Sequence, residues 1–266
     1  MQEKAILVVS FGTSYRDTCQ RTIGALESDF RFRFPDRKVY RAWTSNIIRR
    51  KLASQGEPID SVEEALGRME RDGIRDLLVQ TTHMLPGEEY TLARESVERH
   101  HSSFSSIRFG APLLSDRNDL AELAHILESK FPQVEKNDLL VFMGHGSDHI
   151  DTPIYEELEN CFRQDGFDHY CIGTVEFAPG FTPVLDRICR EKPKKVYLSP
   201  LMVVAGDHAN NDMAGEDPDS WKSQIISAGF ETECILKGLG EYPEIREMYM
   251  KHAELAQGLV SSEGDG

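Results

Sequence analysis

Two stretches of this 266-residue chain put a histidine directly behind a hydrophobic run. In VFMGHGSDH, residues 141–149, His145 stands between Gly144 and Gly146. In LMVVAGDHANND, residues 201–212, His208 follows Gly206 and Asp207. A third run, CIGTVEF, carries an acid near its end, Glu176. Imidazole is a common ligand for divalent metals, and it exchanges protons near neutrality. A carboxylate behind an apolar run is costly unless it faces water or a cation. Two imidazoles and one carboxylate therefore form a plausible site for a divalent transition metal. The flanking glycines let backbone or a flat ligand come close.

Other candidates carry more than one reading. His83 ends the run LLVQTTH, with Glu88 and Glu89 at the next helix start, where carboxylates are also at home for purely local reasons. His149 lies four residues after His145, but Gly146 makes this a loop, and the spacing pairs ligands only on a helix. His100, His101, His125, His169 and His252 fall in helical or turn stretches and read as surface residues. SFGTS, residues 10–14, offers hydroxyls and backbone N–H groups to an anion through Ser10, Thr13 and Ser14. It lacks the glycine spacing of a dinucleotide fingerprint and the lysine of a P-loop, and no GxSxG elbow occurs.

These residues must be positioned by strands. AILVVS, KVYRAWTS, IRDLLVQTT and IRFGAPLL alternate with helical patterns, and so do DLLVFMG, YCIGTVE, KVYLSPLMVV and ETECILKGL. The order implies parallel sheets with helices on both faces. Ser61 with Glu64 three residues on predicts a capped helix start, and Gly73 its end. AILVVSFGTS is echoed by LLVFMGHGSD about half a chain later. The fold class expected is α/β: two flavodoxin-like, doubly wound domains with a cleft between them. The boundaries expected are 1–134 and 135–258, with a frayed tail at 259–266. Ligands of such sheets bind beyond the carboxyl ends of the strands, where His145 and His208 stand.

Bulk properties narrow the function classes. The formal net charge is −15, from 45 acidic and 30 basic residues, which argues against a nucleic-acid surface. No apolar run approaches the roughly 18 to 20 residues that span a bilayer, so no membrane contact is expected. The first residues do not read as a signal peptide, and a cytoplasmic location is expected. Five scattered cysteines without a CxxC pair predict free thiols.

The stretches LVVSFGTSYRDTC, FMGHGSDH, GTVE and PLMVVAGDHANNDMAGEDPDSWK closely resemble the anaerobic sirohydrochlorin cobaltochelatases of cobalamin synthesis, within the class II chelatases. The resemblance runs over roughly residues 3 to 255. It implies ATP-independent insertion of Co²⁺ into sirohydrochlorin, a tetrapyrrole with eight carboxylates. It also implies His145 and His208 as the active-site histidines and Glu176 as the acidic metal partner. Glu89 lines up with an acidic stretch of the first domain, and His83, Ser10, Thr13 and Ser14 join it as candidate substrate contacts. Arg41, Arg49 and Arg50 are further donors for substrate carboxylates, unless they are solvated helix charges. Fe²⁺, Ni²⁺ or Zn²⁺ would bind the same ligand set. A sirohaem-forming ferrochelatase and a non-catalytic metal or tetrapyrrole carrier remain the alternatives. Self-association is compatible with the resemblance, though no interface stripe is evident.

Overall fold

The computed structural model describes residues 3–146 and 154–259. His149 and the tail from 260 onward lie outside the described residues. The chain forms two compact units, Met1–Ser115 with Arg246–Gly266, and Asp116–Ile245. The boundary differs from the one at 134 expected from sequence. The helix Arg117–Glu128 packs on the helix Ile154–Gln164 of the second unit, and the last residues return to the first. Leu259, expected in the tail, is buried, and its N–H donates to the Ile107 carbonyl at 3.0 Å.

In the first unit the strands are β1 (Glu3–Ser10), β2 (Lys38–Trp43), β3 (Ile74–Thr81) and β4 (Ser106–Phe109). They form a parallel sheet in the order β2-β1-β3-β4. A two-residue β9 (Gln257–Gly258), absent from the sequence expectation, pairs antiparallel with β4. In the second unit β5 (Leu139–Gly144), β6 (Tyr170–Thr174), β7 (Val196–Pro200) and β8 (Thr232–Cys234) are all parallel, in the order β6-β5-β7-β8. The two echoed stretches are thus equivalent: β1 and β5 are each flanked by the two strands that follow in sequence.

Burial on both faces explains the unbroken apolar runs. Leu139, Val141 and Met143 of β5 pack with Ala205, Trp221 and Ile225. Phe142 points the other way, 5.4 Å from the Phe131 ring, 5.7 Å from Phe162 and 5.9 Å from Tyr170. In the first unit Ala5, Leu7 and Val9 pack with Leu66, Met69 and Val97. The capping box at Ser61 and Glu64 is present, and Gly73 takes a positive φ of 76° just past the helix end. Arg37 clamps the amino ends of β1 and β3, donating to the carbonyls of Ala5 and Asp76 and pairing with the Asp76 carboxylate at 2.8 Å. All five cysteines are free. Among the described residues no helix is long and apolar enough to cross a membrane.

Phe142 packs against three aromatic rings in the second core. Phe142→Ala is expected to lower the stability of that unit by about 3–5 kcal/mol, measured by urea unfolding. A loss below about 1 kcal/mol would show that the cluster collapses around the cavity.

Candidate metal centre

The second unit builds its site from three neighbouring strands. β5 ends at Gly144 and delivers His145; β6 ends at Thr174 and delivers Glu176; β7 is followed by a short connection into the helical turn that begins with Asp207 and His208. One donor atom from each of His145, Glu176 and His208 lies within 4.8 Å of the others. His145 Nε2 is 4.0 Å from Glu176 Oε2, and the two imidazoles meet edge to face with centroids 5.1 Å apart. Donors about 2.1 Å from one ion are at most about 4.2 Å apart, so shifts of a fraction of an ångström bring all three onto a single cation. His145 and Glu176 are both about half exposed, with side-chain exposures of 49% and 48%. The set is therefore open to an incoming ion and to a large ligand.

Each imidazole is fixed through its Nδ1. The His208 Nδ1–H donates to Asp212 Oδ2 at 2.6 Å, and the His145 Nδ1–H donates to the Gly146 carbonyl at 3.1 Å. Both Nε2 atoms are left for a cation, which is how outer partners orient metal-bound histidines. Asp212 closes the LMVVAGDHANND stretch and is not among the candidates that the sequence marks. The i, i+4 spacing from His208 to Asp212 is the signal that a helical turn would give. Asp212 lies in a π-helical turn, Ala209–Met213.

The loops are held by backbone contact. Glu176 N–H donates to the His145 carbonyl at 2.9 Å, and Val175 N–H donates to that of Gly144 at 3.0 Å. A Cβ on Gly146 would sit 1.8 Å from the Glu176 carbonyl oxygen, and Gly146 has a φ of 92°. Only glycine fits there. A Cβ on Gly144 would meet the Tyr155 ring at 2.7 Å, and Tyr155 Oη accepts from Gly146 N–H at 3.2 Å. Thr174 Oγ1 donates to the Phe177 carbonyl at 3.0 Å and accepts from Gly180 N–H at 2.9 Å, closing the loop after β6.

The remaining expected site residues belong to the first unit and are described there by themselves. Ser10 and Thr13 are buried; Ser10 Oγ accepts from the Thr82 hydroxyl at 2.9 Å, and Thr13 Oγ1 accepts from Tyr15 N–H at 3.2 Å. Ser14 reaches solvent and accepts from Lys51 Nζ at 3.0 Å. Glu89 is part-exposed in the first turn of the helix Glu88–Arg99. His83, a candidate substrate contact, has neither ring nitrogen in contact with solvent or a partner. Burial lowers its pKa to about 4. Arg41 is bound by the buried Glu27 carboxylate at 2.5 and 2.8 Å, and Arg49 by Glu64, Asn46 and the Ile59 carbonyl, so neither is a free donor.

Gly146→Ala is expected to push the loops apart and to weaken Co²⁺ binding about tenfold or more, followed by visible absorbance during titration. Unchanged affinity would show that the backbone crossing does not hold the triad. For His83 the unfolded chain takes up its proton near 6.5, whereas the folded chain resists protonation down to about 4. Its contribution to stability is complete above about pH 6.5. It is lost as pH falls toward 4, by up to about 3 kcal/mol. His83→Gln should flatten the pH dependence of unfolding in that window; an unchanged slope would assign the acid sensitivity to other groups.

Comparison with known proteins identifies the family. The family described as Cobalt chelatase (CbiK) matches residues 4–257. A protein named sirohydrochlorin cobaltochelatase, from Salmonella typhimurium, is 39% identical over 262 residues, covering 98% of this chain and 99% of the relative. Sirohydrochlorin cobaltochelatase CbiKC from Nitratidesulfovibrio vulgaris is 35% identical over 259 residues, covering 96% of this chain and 91% of the relative. Among solved structures, SirB from Bacillus subtilis with Fe³⁺ matches the fold with a TM-score of 0.63 at 12% identity, over 95% of each chain. The match across nearly all of its length, and the identity to two full-length relatives, place this chain in the cobalt chelatase (CbiK) family.

Proposed function

We propose that this chain inserts Co²⁺ into sirohydrochlorin without ATP, through His145, Glu176 and His208. The observation that carries the reading is the convergence of these three donors, within 4.8 Å, at the carboxyl ends of adjacent strands. The two cobaltochelatases at 39% and 35% identity support the same reaction.

The chemistry asks for a site that holds the cation loosely and then accepts protons. Co²⁺, the metal substrate, loses part of its water shell to the two Nε2 atoms and the Glu176 carboxylate. An N/O set of three leaves coordination positions for ring nitrogens. As the cation passes to the ring, two pyrrole N–H protons must leave. The vacated Nε2 atoms and the half-exposed Glu176 are the bases beside it, and solvent is within reach for relay. Asp212, hydrogen-bonded behind His208, faces the positive charge that proton uptake places on that imidazole. Overall one Co²⁺ enters and two protons leave, with no change of oxidation state and no phosphate chemistry. Fe²⁺, Ni²⁺ and Zn²⁺ fit the same donors, so selectivity rests on supply and on the macrocycle. Glu89 and Ser14 of the first unit are proposed as substrate contacts.

The test is an anaerobic absorbance assay with excess sirohydrochlorin and Co²⁺, with Fe²⁺ in parallel. Many turnovers per protein are expected with Co²⁺, and none in His145→Ala or His208→Ala. Asp212→Asn should keep the fold and lose about 10- to 100-fold in rate. Metallation that stops at one equivalent would convert the reading to a carrier, and faster turnover with Fe²⁺ would change the metal.

A further inference from the structure

Resting on that reading, the first unit raises the question of how an acidic chain receives a substrate bearing eight carboxylates. The net charge of −15 repels a polyanion at long range, so docking needs cations left unneutralised at one place. Five cations stand on β2 and the helix Asn46–Ser54 that follows it: Lys38, Arg41, Arg49, Arg50 and Lys51. Three are consumed, Lys38 by Glu3, Arg41 by Glu27 and Arg49 by Glu64. Arg50 is exposed and has no ion-pair partner among the described residues. Lys51 is exposed and donates only to the neutral Ser14 hydroxyl.

These two cations share a helix face with an apolar side chain. Ile47, Arg50 and Lys51 are spaced three and four apart and therefore point the same way. Ile47 is 80% exposed. Phe11, in the loop after β1, is 47% exposed, and its carbonyl accepts from Ser45 N–H at 3.2 Å, beside the start of the same helix. The patch lies at the carboxyl ends of β1 and β2, the edge at which open parallel sheets bind ligands. Exposed apolar groups beside unpaired cations match a flat apolar ring bordered by carboxylates.

We propose that Arg50 and Lys51, with Ser14, receive peripheral carboxylates of the tetrapyrrole, while Ile47 and Phe11 lie against its apolar edge. The Ser14 hydroxyl holds Lys51 toward the strand end, where a carboxylate oxygen can join the same contact. The patch sets affinity for the macrocycle.

The test is the double variant Arg50→Gln with Lys51→Gln, beside Arg71→Gln as a control. Arg71 is an exposed cation of the same unit, at the end of the helix Val62–Arg71 that leads into the amino end of β3. Metal-free sirohydrochlorin is titrated by absorbance at several salt concentrations, and KM values for sirohydrochlorin and Co²⁺ are measured separately. The double variant should bind sirohydrochlorin about tenfold more weakly, with a flatter salt dependence. The loss should sit mainly in KM for sirohydrochlorin, with KM for Co²⁺ unmoved, and Lys51→Arg should restore part of it. Arg71→Gln should bind as the unaltered chain does. Equal sirohydrochlorin affinity in the double variant would overturn the proposal. If the unaltered chain binds sirohydrochlorin but never turns over, the catalytic reading falls, and the metal-free titration still decides the patch.

Discussion

The candidate metal centre depends on one backbone crossing. The chain after β5 passes so close to the chain after β6 that Gly146 has no room for a side chain, and Glu176 N–H closes onto the His145 carbonyl. Without that approach His145 and Glu176 would sit on separate loops with independent motion. With it, a histidine and a carboxylate from different strands share one rigid junction, and His208 needs only its own anchor at Asp212. Hydrogen bonds between main-chain atoms do the positioning, so both side chains keep their donor atoms for the ion.

The sheets explain why the junction forms there. A strand covered on both faces cannot carry a charged group along its length, because burying a charge without a partner is costly. Polar chemistry is therefore displaced to the strand ends. β5 lies between β6 and β7, so the ends of all three deliver side chains within reach of one another. In the first unit β1 has the same central place, but its following loop is filled differently. Trp43 occupies the space beside Gly12, where a Cβ would come within 2.6 Å of the indole, and Ser10 and Thr13 turn inward. The same frame thus yields a ligand set in one unit and a packed, hydroxyl-lined turn in the other.

Much of this was legible in the residue order. Strand periodicity and the capping box at Ser61 follow from local pattern, and the echo between β1 and β5 and the grouping of His145, Glu176 and His208 follow from where residues stand relative to strand ends, which the order of elements supplies. What escaped depends on residues far apart in the chain. The burial of the two His83 ring nitrogens is decided by surroundings its own stretch does not reveal, the capture of Arg41 by a carboxylate on the preceding helix, and β9 by its pairing with β4. Asp212 was missed for a different reason: a π-helical turn has no hydrophobic period to betray it. The run KVYLSPLMVV predicts one long strand, yet β7 stops at Pro200 and the rest leads out toward His208.

The return of the chain end to the first unit fixes an order in which the molecule can be completed. Residues 116–245 are contiguous, so the unit with the metal centre is entirely synthesised before Arg246 exists. The earlier-made unit then still lacks the Arg246 partner of Asp29, the two glutamates that hold Arg33, and the β9 pair that covers the edge of β4. An uncovered strand edge is open to pairing with other chains. During translation, then, the portion made first is the portion finished last, and a chain halted after residue 245 would hold every residue of the second unit while the edge of β4 stayed open.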